Sequence, residues 1–174
     1  MAARAGDDDG EASWPSDFGL QVGVDVPAGV VVAATIRPGV SWARLDGGFG
    51  WNYFAFGVQG GVTLAFVRAS LTPTATLEGG TSFDSDLRSP LSGLSIPAAL
   101  RPSLSSAGYS YASGLLGLEL GDPAGSVFFV RAGLTRVWST LRGIPAGSGT
   151  LTSTPFHLAA WAPAASAGVA LRLW

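Results

Sequence analysis

The chain contains no cysteine and no lysine, and it has a single histidine and a single methionine. Without cysteine there is no disulfide framework and no thiolate metal site. Charge is scarce as well: 13% of residues are ionic, where about 25% is usual in soluble domains. The charges are also unevenly placed. Residues 1–17 hold Arg4 against Asp7, Asp8, Asp9, Glu11 and Asp17, whereas the rest of the chain has nine arginines against seven acids. No basic field for nucleic acid exists. The run Asp7-Asp8-Asp9 lacks the spacing of a calcium loop. No G-x-S-x-G is present, and "GFGWNY" fails the dinucleotide pattern at its last glycine. No cofactor and no metal are expected. A soluble domain this poor in charge would be badly solvated, so a partner or lipid must cover its surface.

A long apolar helix is the next absence. Residues 47–67 are uncharged for 21 positions, about the length of a helical membrane span. They include six glycines, Asn52 and Gln59, and their large side chains alternate. Val58, Val62, Leu64 and Phe66 share one parity, while Gln59, Gly61, Thr63 and Ala65 take the other. Period two in a glycine-rich run of β-formers predicts strand.

The same alternation recurs eight times in the 174 residues. It predicts strands over about 18–26, 30–37, 42–53, 56–66, 71–83, 109–121, 127–140 and 160–174. The connections alternate in length. "PGVS", "VRAS" and "DPAG" are tight turns at one end, and the segments 84–107 and 141–157 are long loops at the other. An even strand count with short turns on one side and long loops on the other is the pattern of an outer-membrane barrel, with both termini at the periplasmic end. The expected fold is all-β: a closed, antiparallel, up-and-down eight-stranded transmembrane barrel spanning 18–174. Residues 1–17 are expected to be a disordered acidic segment.

On this facing, each strand points its polar parity inward. The inward charges are Asp25, Asp46, Glu78 and Glu119 against Arg37, Arg44, Arg131 and Arg172. Charges withdrawn from water must be paired and hydrogen-bonded, so these eight predict a side-chain plug and no open pore. The hairpin "GLELGDPAGSVFFVRAG" sharpens the expectation. With Leu120 and Phe128 in register, Glu119 lies opposite Phe129 and one diagonal step from Arg131, within reach of long side chains. Aromatic residues gather in two bands. Phe49, Trp51, Tyr53, Phe54, Phe83, Trp138 and Trp161 stand toward the loops, and Phe18, Phe66, Phe128 and Trp174 toward the turns, as interfacial girdles do.

Through "RPGVSWARLDGGFGWNYF", "GVQGGVTLAF", "TATLEGGTSF", "GYSYASGLLGLELG" and "VFFVRAGLTRVW", the chain resembles the small eight-stranded outer-membrane β-barrels of Gram-negative bacteria. That superfamily includes the transmembrane domain of outer-membrane protein A. The resemblance covers 18–174 and is one of pattern. It implies an outer-membrane location, contact with membrane lipid and lipopolysaccharide, and handling by the barrel assembly machinery. Trp174 departs from the family: its parity is opposite that of Val169, Leu171 and Leu173. The start has no charged-then-apolar leader, although Ala3-Arg4-Ala5 has the form of a cleavage site, so a removed or truncated signal peptide is expected.

Such barrels serve as anchors, adhesins, lipid A enzymes and small pores. The expected role is structural or surface-interacting, with any extracellular partner meeting the loops 84–107 and 141–157. An enzymatic alternative is a lipid A deacylase or acyltransferase with His157 as base and Ser153 as nucleophile. A further alternative is a soluble lipocalin-like carrier with a hollow interior. Arg136, beside Trp138 on the outward parity, is a candidate contact for lipopolysaccharide phosphates.

Overall fold

A computed structural model of the chain describes residues 17–38, 42–52, 55–67, 69–85, 107–122, 125–141 and 156–173. Eight strands form where the alternation placed them: β1 Asp17–Val26, β2 Gly29–Arg37, β3 Ala43–Trp51, β4 Phe56–Ala65, β5 Leu71–Ser85, β6 Ala107–Gly121, β7 Val127–Leu141 and β8 Phe156–Arg172. Each pairs antiparallel with its sequence neighbour, and β1 pairs with β8 from Gly19↔Arg172 to Val26↔Ala165, so the sheet closes. Closure leaves no edge strand with unpaired amides.

The register determines the shape. In-register partners followed from Thr81 through Val58, Phe49, Val32, Val22, Val169, Phe128 and Leu120 return to β5 at Leu71, ten residues from the start. On eight strands about 4.8 Å apart, with a rise of about 3.3 Å per residue, that stagger tilts the strands by about 40°. The first hairpin is tight. Gly29 sits at φ 84°, a left-handed conformation that favours glycine, and the Ala28 amide donates to the Asp25 carboxylate at 3.3 Å.

The barrel is inside out relative to a soluble domain. On β7, Arg131 is 2% exposed and Thr135 is fully buried, while Phe128 is 63% exposed and Leu134 59%. Gln21, Thr35, Thr63, Thr74, Ser113 and Ser166 join the buried set, whereas Val24, Leu77, Leu116 and Trp161 are exposed. Ten apolar residues are buried among the described ones, five of them alanines. Val31, Ala33 and Tyr111 pack together with Ala28, and Phe129 lies between Gly23 and Gly168, where a Cβ on Gly168 would come within 2.8 Å of its ring.

Several boundaries differ from the sequence expectation. Asp17, expected in the acidic tail, begins β1 opposite Arg37, because an arginine on each side gives its carboxylate a place in the sheet. β5 runs on to Ser85 and β6 begins at Ala107, so strand takes up both ends of the segment 84–107. β8 begins at Phe156 rather than 160, pairing its first residues with Leu141, Thr140 and Ser139. Tyr53, Phe54, Trp174 and most of both long loops lie outside the described residues.

Candidate functional site

The lumen is the most chemically loaded region of the fold. In its turn-end half Glu119 of β6 meets two arginines. Arg44 of β3 reaches across the barrel and grips the carboxylate with both nitrogens, Nη2 to Oε1 at 2.6 Å and Nη1 to Oε2 at 3.3 Å. Arg131 of β7 donates from Nη2 to Oε1 at 3.1 Å, and its guanidinium lies 4.1 Å from the Phe129 ring centroid. All three side chains are buried. Two-pronged arginine–carboxylate contacts of this kind are charge-assisted and hold a fixed geometry.

The expected diagonal pairing of Glu119 with Arg131 is present, with Glu119 opposite Phe129 and Leu120 opposite Phe128. Arg44 is the partner that β-hairpin reasoning could not find. β3 and β6 are not neighbours, so only the curvature of the closed sheet brings them together.

The other inward charges divide into two groups. Asp46 is within electrostatic range of both Arg44 and Arg131. Asp25 and Glu78 are close enough in the interior to act on each other electrostatically. Arg172 stands instead at the turn end, donating to Asp17 at 2.8 Å, with Arg37 opposite the same aspartate. The four-against-four set is therefore split. Four acids and two arginines occupy the barrel interior, while Arg37 and Arg172 stand with Asp17 at the turn-end rim, in a recess that Arg44 also lines. Strand parity identifies which side chains point inward, but not which of them meet.

Toward the loops the interior carries a hydrogen-bonded group of aromatic and amide side chains. The Tyr109 hydroxyl donates to the Pro27 carbonyl at 2.8 Å and accepts from Asn52 Nδ2. Asn52 Oδ1 accepts from the Ala55 amide at 2.9 Å. Tyr111 donates to Gln59 Oε1 at 2.8 Å. Hydroxyl rungs, Thr63 to Thr76 and Ser113 to Thr135, both at 3.0 Å, fill space between the strands. The recess lined by Asn52, Gln59, Tyr109 and Tyr111 has a volume of about 10 Å³, enough for about one water molecule. Sequence parity placed both tyrosines inward without showing what their hydroxyls bond. Tyr111→Phe leaves Gln59 Oε1 without its donor, and is expected to cost about 1–3 kcal/mol, measured by urea unfolding of the folded barrel in lipid vesicles.

The candidate catalytic pair falls outside the described side chains. Backbone pairing sets His157 in β8 opposite Thr140, and Ser153 lies outside the described residues. Among the described residues no group of three or more His, Asp or Glu side chains is arranged to hold a metal. No family model, no curated protein and no solved structure matches the chain. What the site can do chemically follows from its geometry: it fills and cross-braces a closed barrel.

Proposed function

We propose that the chain is an integral outer-membrane β-barrel with a structural or surface-interaction role and no open pore. One observation carries the reading. Large apolar side chains cover the outside of a closed sheet whose charges are turned inward. Water would drive the opposite arrangement, while lipid demands this one: it accepts apolar side chains and tolerates sheet only when every backbone amide is paired.

Dimensions support it. β2 and β3, nine residues each, span about 23 Å when tilted about 40°, close to the ~25 Å apolar band of such barrels. Exposed aromatics stand at both ends of that band, Phe18, Trp42 and Phe66 toward the turns and Trp51, Phe83, Trp138 and Trp161 toward the loops. The Arg44–Glu119–Arg131 cross-brace and the tyrosine hydrogen bonds favour a plug over a channel, and a charged, filled lumen does not suit a carrier of apolar ligands. Contact with lipid and lipopolysaccharide, assembly by the barrel machinery, and any partner at the long loops belong to the same proposal.

The test is migration on a detergent gel with and without boiling, after extraction from outer membranes. A compact band that shifts on boiling is expected, together with no steady conductance steps in planar bilayers. A boiling-insensitive band from a detergent-free soluble fraction overturns the membrane reading, and steady steps overturn the plug.

A further inference from the structure

The outer face carries one charge where the fold predicts none. Among the described outward-facing strand residues Arg136 is the only ionic side chain. Its guanidinium lies 6.0 Å from the ring centroid of Trp161, and both side chains are exposed. A lone cation on a lipid-facing surface costs least near the interface, and Arg136 stands toward the loop end of β7.

The surface beside it is concave. One register row runs from Gly47 through Gly60 and Gly79 to Ala112, then on to Arg136 and Trp161. The furrow above this row has a volume of about 490 Å³, with Leu77, Leu134 and Trp161 as walls. Packing within the barrel does not account for Gly47 of the row or for Gly114 of the furrow. A Cβ on Gly47 would meet nothing closer than 4.0 Å and one on Gly114 nothing closer than 3.9 Å, which is ordinary van der Waals contact. From Gly47 to Arg136 the row crosses four strand spacings, about 19 Å, and rises about 12 Å along the barrel axis. One leaflet is about 15 Å deep.

We infer that this furrow binds a phosphorylated glycolipid of the lipid A class, with one acyl chain along the glycine row and a phosphate on Arg136. Charge complementarity selects this occupant. A guanidinium matches a phosphate with two donors, and the mostly apolar furrow ends at Trp161, beside Arg136. A second copy of the chain, furrow against furrow, would bring two Arg136 side chains toward each other. The choice of glycolipid over phospholipid rests on the outer-membrane reading, in which the loop end faces the outer leaflet.

Native mass spectrometry of the full chain in neutral detergent tests the inference, with lipid A, phosphatidylglycerol and phosphatidylcholine added separately. One retained lipid A per barrel is expected. Arg136→Gln should lower its retention about tenfold, as loss of one charge-assisted contact does. Gly114→Leu, which fills the furrow where a side chain has room, should lower it similarly. Heat-modifiable migration should be unchanged in both variants. Equal retention of phosphatidylcholine, stronger retention of phosphatidylglycerol, or indifference to both substitutions overturns the inference. So does a dimer that Gly114→Leu dissolves without any change in bound lipid. If the parent protein is itself not heat-modifiable, the membrane reading falls; if it is and no lipid A is retained, the furrow assignment alone falls.

Discussion

Glu119→Ala is expected to destabilise the folded barrel by about 3–5 kcal/mol, the cost of leaving buried charges without their partner. Glu119 is the shared acceptor of Arg44 and Arg131, whose side chains are 5% and 1% exposed. Its removal strands two guanidiniums in the barrel interior. Arg131→Met should cost distinctly less, because Glu119 keeps its two-pronged contact with Arg44 and the methionine can still pack on Phe129. The double variant Glu119→Ala/Arg44→Met should recover part of the loss, since it removes one of the two stranded cations along with the carboxylate. Urea titration of the barrel folded into lipid vesicles, followed by tryptophan fluorescence, measures all three. Equal effects of Glu119→Ala and Arg131→Met would mean that the cluster is not centred on the carboxylate.

Leu116→Arg separates a lipid environment from water directly. Leu116 lies outward on β6 and is 69% exposed, facing away from every buried group. On a soluble surface such a change falls within about 0.5 kcal/mol of neutral. In a bilayer, an arginine near the middle of the apolar band costs about 2–4 kcal/mol, falling to about 0–1 kcal/mol at the interfaces. Leu116→Arg is therefore expected to destabilise by about 2–4 kcal/mol, and Phe18→Arg, in the turn-end band, by no more than about 1. Vesicle unfolding of the two variants beside the parent gives the comparison. A neutral Leu116→Arg would remove the basis of the membrane proposal without touching the barrel fold.

Much of the fold was legible because strand parity is a local property. Successive side chains in a strand point to opposite faces, so Phe128, Val130 and Leu134 could be separated from Phe129, Arg131 and Thr135 by counting. Hairpin register was legible for the same reason across the Asp122 turn, where a tight connection leaves little choice of pairing. Curvature was not legible. Arg37, Arg44, Arg131 and Arg172 all fall on the inward parity of their strands, yet two meet on Glu119 and two stand with Asp17. Asp17 itself was hidden by the acidic run preceding it. The glycine furrow was equally hidden, because Gly47, Gly60, Gly79 and Ala112 come together only when four strands are laid side by side.

The sequence by itself determined the number of strands, their faces and the inversion of polar and apolar surfaces, because alternation and turn residues act within a few positions of one another. Beyond the Glu119–Arg131 hairpin pair, the tertiary structure alone decided which charges meet. That choice depends on the ten-residue stagger of the closed sheet. The stagger sets how far each strand slides past its neighbours, and so carries Arg44 across the lumen to Glu119 while keeping Arg172 at the edge with Asp17.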